Sequence, residues 1–317
     1  MITTNGDRAI LDGPEPTDEG FLEIDARGHR VFYRVFGGGE ETLLGLHGGP
    51  GGSQISLTRL GELGDDFRVV LYDQLGGGRS DRPEDPSLWT LERFVDEVEA
   101  VREGLVLGRV HVLGRSWGGM LALEHALAHP DAVSSLILSN TGASTAEIVE
   151  SMDALRRQTG ADAYATMQAA EANGDYDDGA YREIVAGLLA RHYRRIAPFD
   201  LEQGRAAIKE HVVPYLGDHG PPFPVMWGPN EFLCTGTLRE WTVLDRLGEI
   251  RAPTLILCGL HDEVTVEVHQ SLAHRIPYNE FVIFGNSSHT PLFEREADAY
   301  LAVLRDFVRR VGAVAQP

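Results

Sequence analysis

The chain of 317 residues carries 48 acidic against 28 basic side chains, a formal charge of −20 that opposes binding to nucleic acid or to anionic membranes. Its length allows a full buried core, as one large domain or as a core with an inserted one. Two cysteines, Cys234 and Cys258, are too few for a disulfide framework and belong to no C-x-x-C or Cys/His cluster, so a reducing cytoplasm is the expected setting.

The first twenty residues include Asp7, Arg8, Asp12, Glu15, Asp18 and Glu19 and contain no long apolar segment resembling a secretion signal. No later stretch approaches a membrane span. Residues 20–36 alternate apolar and polar on either side of Ala26-Arg27-Gly28, which predicts an opening hairpin. Short, nearly continuous apolar runs follow at 42–46, 67–72, 110–113, 133–138, 254–258 and 281–284, as expected of strands covered on both faces. Segments 91–105, 119–128 and 298–309 have the apolar spacing of amphipathic helices. Together these predict an α/β fold built on a mostly parallel sheet.

The rhythm stops between Asn140 and about Arg251. Helical patterns at 148–158, 164–172 and 181–193 lead into a stretch marked by Pro198, Pro214, Pro221, Pro222 and Pro224. A strand pattern returns at 254–258, so residues 140–250 are expected to form a helical cap inserted between core segments 1–139 and 251–317. Such a cap would lie over the carboxyl edge of the sheet, where ligands bind in open α/β folds.

The chemistry centres on Gly114-Arg115-Ser116-Trp117-Gly118, which joins the apolar run 110–113 to a helical segment. A strand, a sharp turn and a helix lift the Ser116 hydroxyl clear of the backbone, which makes it the candidate nucleophile. A serine hydroxyl needs a base, and the base needs a partner that fixes its tautomer. Strand 254–258 runs into Gly259-Leu260-His261-Asp262-Glu263, and strand 281–284 into Asn286-Ser287-Ser288-His289. The order Ser116, Asp262, His289 is the nucleophile, acid, base order of α/β-hydrolases, with Glu263 the alternative to Asp262 and His261 left as structural. The developing oxyanion needs preorganised donors. Trp117 N–H supplies one, and Gly49 N–H, with Gly48 as alternative, supplies the second from His47-Gly48-Gly49-Pro50-Gly51-Gly52. That loop has neither the Walker lysine pattern nor dinucleotide spacing, so no cofactor is expected, and no metal.

The His47–Gly52 loop, the stretch Tyr72-Asp73-Gln74-Leu75-Gly76-Gly77-Gly78-Arg79-Ser80 and the elbow 114–119 together resemble the proline iminopeptidase family of α/β-hydrolases. In the cap segment, Gly228-Pro229-Asn230-Glu231-Phe232, then Thr235-Gly236-Thr237 and Trp241, resembles more narrowly the tricorn-interacting aminopeptidases and amino acid amidases. The resemblance implies removal of an N-terminal residue, often proline, from short peptides, or hydrolysis of aminoacyl amides and esters. It further implies that Glu231 and Glu263 hold the substrate's free α-amine. An esterase or lactonase without an amine requirement, and a non-catalytic ligand-binding protein, are the rival readings.

Two positions depart from the family pattern. Arg115 stands where a smaller or less charged residue is more usual, which would alter the local charge near the elbow unless its guanidinium faces the surface. Gly77 stands where relatives often carry a side chain, which would alter the pocket floor. Phe223, Met226, Trp227, Phe232 and Trp241 are candidate pocket liners or ordinary cap core, and Cys258 is expected to be buried packing.

Overall fold

A computed structural model describes residues 13–195 and 219–315; Pro198 and Pro214 of the proline-marked stretch, and the polar residues 1–12, lie outside them. Eight strands form one sheet in the order β1-β2-β4-β3-β5-β6-β7-β8. The predicted hairpin is β1 (Asp18–Glu23) with β2 (Arg30–Phe36), and β2 pairs antiparallel with β4 (Arg68–Tyr72). All remaining pairs, through β3 (Thr42–Leu46), β5 (Val110–Arg115), β6 (Val133–Ser139), β7 (Thr254–Gly259) and β8 (Asn279–Phe284), are parallel.

The apolar runs are continuous because both faces of the central strands are covered. Along β4, Val69 and Leu71 join one core while Val70 and Tyr72 join the other; along β7, Leu255 and Leu257 part from Ile256 in the same way. One core is closed by α8 (Ala297–Ala315), through Tyr300, Leu304 and Phe307, and by Leu57, Leu60 and Leu63 of a 3₁₀ segment, Gln54–Leu63. The other is closed by α1 (Leu91–Gly104) and α2 (Trp117–Ala128). α1 starts where Thr90 accepts a hydrogen bond from the Arg93 N–H, with Glu92 in its first turn and Arg102 in its last.

β6 and β7 are neighbours in the sheet although more than a hundred residues separate them in the chain. That intervening segment contributes α3 (Thr145–Arg157), α4 (Ala161–Asn173), α5 (Gly179–His192) and the short α6 (Pro222–Met226). Ile148, Met152, Met167, Leu188 and Phe223 of these helices belong to the same apolar core as α1 and α2. α7 (Val266–Arg275) packs between β7 and β8.

β4 and β5 flank β3 on opposite sides, so the strand order reverses at β3 and opens a crevice at the carboxyl ends of β3 and β5. The loops carrying Gly49 and Ser116 leave from those ends. The glycines beside Ser116 serve contact between backbones. A Cβ on Gly114 would lie 2.1 Å from the Gly118 carbonyl oxygen, and one on Gly118 would lie 2.1 Å from that of Leu46. Gly118→Ala should therefore drive α2 off β3 and cost about 1–3 kcal/mol, read as a lower urea midpoint with the far-ultraviolet spectrum retained.

Candidate active site

Ser116 has φ 55° and ψ −125°, outside the regions an L-residue prefers, a strain of about 1–3 kcal/mol that the surroundings must hold. Its N–H donates to the Ser139 carbonyl at 3.0 Å, and Thr141 Oγ1 donates to its carbonyl at 2.8 Å, so β6 pins the turn from both sides. α2 begins at the next residue, two positions earlier than the apolar spacing predicts, because the strained serine is its N-cap. Trp117 is thus the first helical residue, and its N–H belongs to the set that a helix leaves without an internal partner. Ser116, Trp117 and Gly49 line one cavity.

His289 and Asp262 are brought together, with His289 Nδ1 2.7 Å from Asp262 Oδ1 and both side chains buried. Asp262 Oδ1 also accepts from the Val264 N–H at 2.9 Å, and Oδ2 from Asn140 Nδ2 at 2.6 Å. Burial alone would push the Asp262 carboxyl upward; the charge and hydrogen bond of His289, aided by Asn140, hold it below its ordinary value. An ionised acceptor at Nδ1 fixes the imidazole tautomer and leaves Nε2 as the acceptor.

The backbone of His289 is held independently of its ring. Its N–H donates to the His192 carbonyl at 3.1 Å, and its carbonyl accepts from Arg115 Nε at 3.3 Å and Nη2 at 3.2 Å. Glu294 binds the flanking residues, accepting from the Ser288 N–H at 2.6 Å and from Thr290 Oγ1 at 3.1 Å. The Tyr193 ring lies 5.4 Å from the imidazole, centroid to centroid.

Glu263 sits on the far side of the imidazole, with Oε1 3.7 Å from His289 Nε2, too long for a hydrogen bond. It is fully buried, and neither oxygen meets hydrogen-bond geometry with a described residue. Burial, then the approach of the Glu231 carboxylate and of Asp262, raises the Glu263 carboxyl well above its ordinary value, while Arg115 opposes the rise. Glu231 itself lines the Ser116 cavity. A carboxyl group buried as Glu263 is, with a second carboxylate approaching it, favours its proton or a cationic partner.

Against this geometry, the comparisons with known proteins are consistent across sequence and structure. The alpha/beta hydrolase fold family matches residues 41–296. A proline iminopeptidase of Heyndrickxia coagulans is 36% identical over 298 residues, covering 92% of this chain and 99% of the relative. One from Saccharolobus solfataricus is 35% identical over 300 residues, covering 93% of each. The crystal structure of a proline iminopeptidase from Mycobacterium smegmatis superposes with a TM-score of 0.82 at 31% identity, covering 94% of this chain and 100% of that one. The chain belongs to the proline iminopeptidase family of α/β-hydrolases.

As a member of that family, the protein corrects several expectations from its sequence. Arg115 does not face the surface: it is 5% exposed, spans to the His289 carbonyl and lies 5.9 Å from the centre of the Tyr193 ring. Elbow and base loop converge in space, a fact invisible from the five-residue motif. Gly77 is a packing position, since a Cβ there would lie 2.1 Å from the Gly52 carbonyl oxygen. Of the five candidate liners, Trp227 lines the Ser116 cavity with Glu231; Met226, Phe223 and Phe232 are buried in the core, and Trp241 turns its indole N–H to Glu124 at 2.8 Å. The apolar wall is instead Met120, Ile148, Met152 and Val264. Asn140 was legible only as the residue where the strand-helix rhythm stops; its contact with Asp262 needs the β6–β7 pairing.

Cys258 is fully buried, as expected, and burial raises its thiol. His261 contributes its carbonyl, which accepts from His192 Nδ1 at 3.0 Å, and its ring stays outside the Asp262–His289 pair. Among the described residues, no group of three or more His, Cys, Asp or Glu side chains is arranged to hold a metal, and no helix is long and apolar enough to cross a membrane.

The Glu263 carboxyl titrates higher in the folded protein than unfolded, so the folded state binds its proton more tightly. Stability conferred by that proton is full below the ordinary glutamate value, about 4.3, and is lost as pH rises to the raised one. Glu263→Gln should accordingly melt above wild type at pH 8, with the gap closing towards pH 4.5. Each tenfold change in proton affinity corresponds to about 1.4 kcal/mol. Thermal denaturation across that pH range measures it; coincident curves at pH 8 would mean the carboxyl carries no penalty.

Proposed function

We propose that the protein is a serine aminopeptidase that releases an N-terminal proline, or another small apolar residue, from short peptides or aminoacyl amides. The observation that carries this reading is the Glu231–Glu263 pair, with Glu263 fully buried beside the His289 imidazole and the half-buried Glu231 lining the cavity that holds Ser116. A substrate α-ammonium supplies the cation that this pair lacks, and charge-assisted hydrogen bonds then place the adjoining carbonyl over the serine. An ester or lactone hydrolase indifferent to amines would have no use for two carboxyl groups there. The relatives named proline iminopeptidases support proline as the first residue.

In this reading His289 Nε2 takes the Ser116 proton as Oγ attacks the scissile carbonyl. The Gly49 and Trp117 amides receive the oxyanion, and Asp262 stabilises the imidazolium. The imidazolium gives its proton to the leaving amine, and water, activated by the same base, releases the amino acid. No cofactor enters these steps. Ile148, Met152, Trp227 and Glu231 from residues 140–250 face Ser116 and Trp117 across one cavity, which supports a cap role for that segment. Two free cysteines, one fully buried, suit a reducing cytoplasm.

Ser116→Ala should lose about 10⁴-fold or more of kcat on a prolyl-peptide while keeping its melting temperature, and turnover by the pure variant would exclude this nucleophile. Glu231→Gln should lower kcat/KM on free-amine substrates roughly 10- to 100-fold. Matched N-acetyl substrates should be poor for wild type and no worse for the variant. Equal turnover of free and acetylated substrates by wild type would favour the esterase reading.

A further inference from the structure

The Tyr72–Ser80 stretch carries the family resemblance, yet none of its side chains enters the chemistry above. Gln74 is fully buried where β4 ends, on the opposite side of β3 from Ser116. Three hydrogen bonds leave it. Its backbone N–H donates to His47 Nε2 at 2.9 Å, its side-chain Nε2 donates to the His47 carbonyl at 3.0 Å, and its Oε1 accepts from the Trp117 indole Nε1 at 2.8 Å. An indole N–H can only donate and a carbonyl can only accept, so both ends of the Gln74 amide are assigned without ambiguity.

The partners continue the chain of constraint. With Nε2 accepting, His47 carries its proton on Nδ1, which donates to the Gly48 carbonyl at 2.7 Å. Burial keeps that ring neutral, as the tautomer requires. Gln74 is itself anchored by its neighbour, because the Asp73 carboxylate accepts from Ser53 Oγ, the Gln54 N–H and the Arg79 N–H at 2.8, 2.8 and 2.9 Å. The segments that follow β3 and β4 and the first residue of α2 thus meet at one amide.

We propose that Gln74 is a positioning residue for the oxyanion hole: by holding the His47-Gly48-Gly49 loop and Trp117 at a fixed separation, it aims the Gly49 and Trp117 N–H groups at one point. The inference rests on the acyl-transfer reading of Ser116. The need for such a brace follows from the fold. The two donors leave different strands, and the β3–β5 ladder ends at Leu46 and Gly114, short of both Gly49 and Trp117. Hydrogen-bond stabilisation of an oxyanion is lost steeply when a donor is displaced, so the rate depends on that distance more than substrate binding does.

The test pairs Gln74→Met, which keeps the length of the side chain and removes both side-chain bonds, with Trp117→Phe, which removes the indole donor and part of the ring but leaves Gln74 its bond to His47. Each variant is assayed for kcat and KM on a prolyl-peptide, for affinity to the α-aminoboronic acid analogue of proline, and for inhibition by free proline. The boronate adduct puts an oxygen in the hole; free proline occupies the amine site without a tetrahedral centre. Both variants should lose about 10- to 100-fold in kcat and in boronate affinity, with KM and proline inhibition within about twofold of wild type. Retained boronate affinity in either folded variant overturns the inference, as does an equal loss of boronate and proline affinity. If Gln74→Met fails to fold, Trp117→Phe decides by the same criterion. A wild-type protein that neither turns over substrate nor binds the boronate refutes the acyl-transfer reading, and this inference with it.

Discussion

The site depends on burying two consecutive carboxyl groups, Asp262 and Glu263, on either side of one imidazole. In a dry interior such a cluster is unstable unless each charge is answered. Asp262 is answered within the protein, by His289, Asn140 and the Val264 N–H, and stays ionised. Glu263 is answered only at a distance, by Arg115, while Glu231 closes on it. Neighbours in sequence therefore have opposite electrostatic environments, one satisfied at rest and one in want of a cation. The difference arises because consecutive side chains of an extended turn point to opposite sides of the base.

Much of the surrounding structure keeps that arrangement from relaxing. α5 ends at His192, whose carbonyl has no onward partner in the helix and accepts the N–H groups of both Glu263 and His289, at 3.2 and 3.1 Å. One backbone oxygen from the segment between β6 and β7 thus sets His289 and Glu263 relative to each other. Arg115 adds a tie from β5, the strand leading into Ser116, to the carbonyl of His289. The elbow, base loop and α5 are braced together, so the strained Ser116 backbone is held from several directions at once. Glycines at 114 and 118 are the steric condition for this, since β3, β5 and α2 approach more closely than side chains permit.

Strand and helix patterning was readable because its period is local. Runs such as 69–72 and 255–258 are apolar throughout, and the alternate residues of 69–72 and 255–257 feed two separate cores. The Ser116, Asp262, His289 order was readable because each residue follows an apolar run, and strand ends in a parallel sheet share one edge. The direction of Arg115 was not readable for a complementary reason: nothing in Gly-Arg-Ser-Trp-Gly says which chain segment lies opposite. Most of the pocket wall was hidden likewise, as Met120, Ile148, Met152 and Val264 come from segments that meet only when β6 and β7 pair.

The sequence by itself determined the α/β pattern and the family, and offered the candidates for acyl transfer, because those follow from periodicity and from motifs a few residues long. Only the tertiary structure decided that Asp262 rather than Glu263 orients His289, that Arg115 turns inward, and that Gln74 joins the two candidate oxyanion donors. Each of those outcomes is a relation between groups 27 to 174 residues apart. Distance, burial and charge compensation between such groups exist only once the sheet has brought its strand ends together.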